Sequence, residues 1–201
     1  MRLTTLLLCV GILTAAGCGS GASEPAAATP AAPAPITSSE VTGTVPRNAI
    51  VTLLPLQEPP LPDQPALMDQ YAKQFVPSTL YVRVGQPVEF KNSEDMPHNV
   101  TVLRRGSGTE VFNVSTEPQQ KYVHTFDRVG QFDVTCDIHP GMQATLIAAP
   151  GDMVTIADDS GRFSIANVKP GSYKLSVNFE GRTVEQPVEV KDARTVVRVS
   201  P

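Results

Sequence analysis

From Val41 onward, apolar residues recur at every second position in short runs, and each run closes on a turn signal. Leu80, Val82 and Val84 alternate up to Gly85-Gln86-Pro87. Tyr122, His124 and Phe126 share one strand face ahead of Asp127-Arg128-Val129-Gly130, and Phe132, Val134 and Cys136 share the next. Period-two runs spaced roughly ten residues apart predict an all-β antiparallel sandwich. Composition agrees: 19 Pro and 14 Gly in 201 residues, 5% aromatics and no Trp argue against a helical bundle or a coiled coil. A formal charge of −4 offers no basic face for nucleic acid.

Some stretches read less cleanly. Leu56 to Pro65 carries four prolines and is expected to be irregular. Leu67 to Phe75 fits a helix or a strand, and Arg104 to Gln120 reads as a long polar loop or a weakly formed strand. A second run of strands begins near Pro150, with alternation at Phe163 and Ile165, at Tyr173, Leu175 and Val177, and at Val188 and Val190. Those last ~50 residues alone would make a marginal sandwich.

The N-terminus reads as an address. In residues 1–17 a single Arg2 precedes an apolar run from Leu3 to Leu13, the anatomy of a secretory signal. The run is shorter than the ~20 residues of a spanning helix. Leu13-Thr14-Ala15-Ala16-Gly17-Cys18 resembles a bacterial lipobox, with Ala15 where Leu is usual. The resemblance implies cleavage before Cys18 and lipidation of its thiol. Residues 18–38, rich in Ala, Pro, Gly and Ser, have no hydrophobic period and read as a tether.

On that resemblance Cys9 leaves with the signal and Cys18 has no free thiol, so Cys136 is expected to be a solitary thiol outside the cytoplasm. There it can hold a metal, act in catalysis or lie inert in the core. Its neighbours discriminate. Cys136-Asp137-Ile138-His139-Pro140-Gly141-Met142 gathers a thiolate, an imidazole and a thioether at the end of a strand. His98, in Pro97-His98-Asn99-Val100, opens another strand. Two His, one Cys and a weakly bound Met are the ligand set of a blue-copper site. Thiolate and imidazole suit both copper oxidation states, and a distant thioether favours the reduced one. Zinc prefers four strong ligands, and only three are present. A Cys–His nucleophile would need an oxyanion hole, to which a Met beside Pro-Gly adds nothing, so no enzymatic role is expected. His124 on its alternating face reads as packing, Met96 as a loop residue, and Arg104 and Arg105 as a solvated turn.

From about Gln70 to Ala148 the chain resembles the cupredoxin (plastocyanin-like) family. The resemblance rests on Pro97-His98-Asn99-Val100 and on Gly130 to Met142, and the Cys-x2-His-x2-Met spacing looks like the short ligand loop of amicyanins. It implies a Greek-key sandwich, one mononuclear type 1 copper ion on His98, Cys136, His139 and Met142, and a bracing role for Asn99. It also implies one-electron exchange with a redox partner protein at the exposed edge of His139. Gly161-Arg162-Phe163-Ser164-Ile165 with Val168 to Leu175, and Val41-Thr42-Gly43-Thr44-Val45 far upstream, resemble the carboxypeptidase regulatory-like domain, a small transthyretin-like sandwich. Met68-Asp69-Gln70 with Phe75-Val76-Pro77 resembles bacterial fusions often labelled methylamine-utilisation proteins; no amine chemistry is read from that label.

The expected organisation is a signal over 1–17, a tether over 18–38, first strands of the regulatory-like sandwich over 39–64, the cupredoxin domain over 65–150, and the rest of the sandwich over 151–201. The expected function is a lipid-anchored electron carrier on the outer side of a bacterial membrane. The alternative is a copper-handling or binding module, which would release Cu(I) readily to a chelator.

Overall fold

The computed structural model describes residues 38–199, and every regular element among them is a β-strand. The chain begins with β1 (Ser39–Thr44) and β2 (Ile50–Pro55). A nine-strand section follows: β3 (Ala66–Tyr71), β4 (Gln74–Val76), β5 (Thr79–Arg83), β6 (Pro87–Asn92), β7 (His98–Arg104), β8 (Thr109–Thr116), β9 (Lys121–Thr125), β10 (Gly130–Thr135) and β11 (Gln143–Ala149). The chain closes with β12 (Met153–Ile156), β13 (Arg162–Val168), β14 (Gly171–Phe179), β15 (Arg182–Val190) and β16 (Arg194–Arg198).

The nine middle strands form a Greek-key sandwich. One sheet has the order β5-β11-β10-β7-β8 and the other β4-β3-β6-β9. Alternation sets which side chains face inward. On β10, Gly130, Phe132 and Val134 are buried while Gln131, Asp133 and Thr135 are half-exposed. On β6, Val88, Phe90 and Asn92 point inward. Phe75, Phe90, Phe132, Met68 and Leu146 anchor the core between the sheets. Each fully buried Phe contributes about 1.5–3 kcal/mol of transfer free energy.

The outer strands bond to one another. A β13-β1-β16 sheet faces a β12-β2-β14-β15 sheet around Val41, Val51, Leu53, Leu175 and Val190. Within it β2 runs antiparallel to β12, with Leu53 opposite Met153. A third apolar cluster joins the two sandwiches, with Ile50 of β2 against Ile147 and Ala149 of β11. Arg83, at the end of β5, is buried beside both chain crossings. Its Nη1 donates to the carbonyls of Pro59 and Pro60, each at 2.9 Å, on the outgoing crossing. Its Nε lies 4.0 Å from Asp152 on the returning one.

Two ambiguous stretches take definite form. Leu67 to Phe75 is extended, a β3–β4 hairpin whose two-residue turn is Ala72-Lys73, with φ of 53° and 55°. Such a turn normally advertises itself with Asn-Gly, which is why the sequence did not announce it. Arg104 to Gln120 is not a long loop, because β8 occupies eight of its residues. The strand was hidden for two reasons. It is an edge strand with exposed polar side chains, and a register shift opposite Val102 and Leu103 puts Val111 and Phe112 side by side and breaks the alternation.

Candidate metal centre

Strand order decides where the chemistry gathers. His98 is the first residue of β7, Cys136 follows the last residue of β10, and these two strands are hydrogen-bonded neighbours. The loop from Cys136 to Met142 then turns back into β11. It is closed by its own backbone: Cys136 N–H donates to the Met142 carbonyl at 3.1 Å, and Met142 N–H donates to the His139 carbonyl at 3.2 Å. Gly141, at φ 84°, supplies the left-handed residue that this tight return requires.

The loop brings three donor atoms together. His98 Nδ1 and His139 Nδ1 lie 3.0 Å apart, and each is 3.8 Å from Cys136 Sγ. The centre of that triangle is about 2.1 Å from all three atoms, a normal length for metal–nitrogen bonds and slightly short for metal–thiolate bonds. Two imidazoles and one thiolate turned inward on a common point are a donor set that a soft transition metal fits. Met142 is 2% exposed and belongs to the same buried cluster as Cys136. His98 is fully buried and Cys136 is 6% exposed, whereas His139 is half-buried. Burial depresses the pKa of His98, partly opposed by the Glu94 carboxylate, whose Oε1 lies 3.4 Å from His98 Nε2. A neutral ring is the form that binds a metal.

Polar side chains that sequence reasoning missed hold this arrangement. Asn92 is fully buried; its Nδ2 donates to the carbonyls of Met96 and Thr116, each at 2.8 Å, and its Oδ1 accepts from Glu94 N–H at 2.9 Å. It thereby fixes the turn leading into His98. Its signal in the sequence was an amide at an inward position after Val88 and Phe90. Asn99 was singled out, and its side chain does reach the Cys136–Met142 loop: Asn99 Oδ1 accepts from Asp137 N–H at 2.7 Å. Thr101 and Asn113, opposite each other on β7 and β8, were not. Both donate to the Asp137 carboxylate, and together with Asn99 they hold its pKa below the usual carboxylate range.

The other singled-out residues lie elsewhere. His124 packs against Phe112 and Phe126, with ring centroids 4.7 and 4.8 Å away. Arg104 and Arg105 sit at the opposite end of β7 from His98, Arg105 paired with Asp133. Cys18 lies outside the described residues.

Residues 66–149 match the copper binding proteins of the plastocyanin/azurin family. Plastocyanin from Ginkgo biloba is 30% identical over 77 residues, 34% of this chain and 78% of that protein. The chain belongs to the plastocyanin/azurin family. Its cofactor is one copper ion. Amicyanin from Paracoccus versutus is 33% identical over 67 residues, 33% of this chain and 51% of the amicyanin. The chain thus spans about half the length of the amicyanins it matches. A solved amicyanin variant in its reduced state is 25% identical, with a TM-score of 0.40, over 49% of this chain and 99% of the other.

Proposed function

We propose that this protein is a type 1 copper protein that carries single electrons outside the cytoplasm. The observation that carries the reading is the convergence of His98 Nδ1, His139 Nδ1 and Cys136 Sγ on one point. These three would hold the copper strongly, and Met142 would hold it weakly. The copper supplies a one-electron couple. The chain supplies a ligand frame that is already formed: His98 and Cys136 are locked by β7, β10 and the buried Asn92, so a change of charge at the centre calls for little movement of ligands. His139 gives the centre its exposed edge. Around it Ile138 is 50% exposed and Pro140 and Gly141 are exposed, an apolar surface suited to a brief encounter with a redox partner protein. Delivery of the ion itself would call for accessible, exchangeable ligands, and burial of His98 and Cys136 favours the carrier.

The anchor is Cys18, lipidated after removal of residues 1–17, which holds the protein on the outer side of a bacterial membrane through the 18–38 tether. The cupredoxin domain, 65–150, is inserted in a regulatory-like, transthyretin-like sandwich made of 39–64 and 151–201. The pairing of β1 and β2 with later strands supports that division. The test is optical and electrochemical. The purified protein with Cu(II) should show an intense visible thiolate-to-copper band and a reversible one-electron wave with fast self-exchange. A colourless complex, or Cu(I) lost at once to a competing chelator, would reject the carrier. Cys18→Ala should release the protein from membranes.

A further inference from the structure

Asp137 is exposed, yet its carboxylate is not free. A single oxygen, Oδ2, accepts from Thr101 Oγ1 at 2.7 Å, from Asn99 Nδ2 at 2.8 Å and from Asn113 Nδ2 at 3.2 Å. The backbone of the same residue donates to Asn99 Oδ1 at 2.7 Å. A hydroxyl oxygen in that position has two lone pairs and its own proton to place, and an amide oxygen carries less charge. Three donors converging on one oxygen suit an anion. The gripping groups are all neutral, and among the described residues no Lys or Arg pairs with Asp137. Its charge is therefore held in place without being cancelled, one residue from the thiolate.

We propose that Asp137 is a positioning residue that places a fixed negative charge beside the copper centre and so holds its reduction potential down. This inference rests on the copper reading above, with Cys136 as ligand. The oxidised centre carries one more positive charge than the reduced one, so a fixed anion nearby stabilises the oxidised form more. The hydrogen bonds have the opposite influence. Each donor draws charge density away from the metal, so a lost donor returns it. The carboxylate is exposed, so salt screens the effect.

These signs make the test. In the copper-loaded protein, Asp137→Asn should raise the potential while its visible band stays in place, since the amide can still accept from Thr101. Thr101→Val, which removes the closest donor and leaves the charge, should lower it. The gap between Asp137→Asn and the parent should narrow as ionic strength rises. A purely structural latch would move both variants the same way and ignore salt. Potentials that shift in one direction together, an Asp137→Asn potential equal to the parent's, or an Asp137→Asn protein that loses copper would overturn the proposal. The parent's own visible band tests the copper reading separately.

Discussion

Cys136 and Met142 close the two ends of one loop, and the two sulfurs call for opposite results on substitution. Cys136→Ser should abolish the intense visible band, because that colour arises from charge transfer between thiolate and Cu(II). Met142→Leu should keep the colour, hold copper and raise the potential: a thioether favours the reduced ion only relative to a harder donor, and an apolar side chain, which donates nothing, penalises the doubly charged ion more still. Spectra and voltammetry of the two variants check this. His124 makes a separate claim. Burial among Phe112 and Phe126 lowers its pKa from the ordinary 6.5, against the pull of Asp127. Below about 6.5 the unfolded chain binds the proton that the folded chain refuses, so His124 costs stability as pH falls, and costs nothing well above 6.5. His124→Phe should flatten the acid side of a stability-against-pH curve measured by denaturant unfolding. At this scale the convergence of His98, Cys136 and His139 was legible because His and Cys are chemically distinctive at short spacing. Asn92, Thr101 and Asn113 were not, because a polar residue on a strand announces nothing until its cross-strand partner is known.

Strands differ in how openly they declare themselves. β6 and β10, central to their sheets, bury alternate residues and could be read directly. β8 could not, since an edge strand needs no apolar outer face and its bulge shifts the period. β4 is three residues long and exists only as the return of a hairpin. β1 carries a glycine for a reason visible only in the packing. A Cβ at Gly43 would run into the Val197 carbonyl and lie 2.6 Å from the Phe163 ring. Neither is the free end of a flexible chain. Gly43→Ala should therefore lower stability by about 1–3 kcal/mol, the usual range for overpacking. Thermal melting would register the loss, and the visible copper band should be unchanged, because Gly43 belongs to the other sandwich.

At the scale of the whole molecule the two cores make a claim about autonomy. A chain restricted to residues 65–150 contains every strand of the copper-bearing sandwich and should bind copper with the parent's spectrum. A chain starting at Gly151 retains β12 to β16 but lacks β1 and β2, which sit between β13 and β16 and between β12 and β14. It should show no cooperative unfolding transition, and a sharp melt from it would argue for two consecutive domains. The G-x-V stretch at Val41 and its distant continuation carried the expectation of one sandwich split around another, and β1 does pair with β13 and β16. The joint was not legible, because Ile50, Ile147 and Ala149 look like ordinary core residues in sequence, and the clamp at Arg83 depends on backbone carbonyls that no side-chain pattern encodes.

The register of Leu53 against Met153 gives the joint a thermodynamic meaning. β2 and β12 are two arms of a hairpin, and the entire copper-bearing sandwich stands where a turn of a few residues would suffice. When that sandwich is folded, its ends leave side by side at Arg83 and the hairpin closes almost without cost. When it unfolds, the same hairpin must close a disordered loop on the order of 100 residues, which costs about 3 kcal/mol more than a tight turn. Copper captured at the far end therefore supports the host sandwich through chain connectivity, in addition to the Ile50, Ile147 and Ala149 contact, without the metal itself touching it. Stripping the metal should lower the melting temperature of both sandwiches, and replacing residues 56–150 by a two-residue Asn-Gly turn, which keeps Leu53 opposite Met153, should free the host from that dependence.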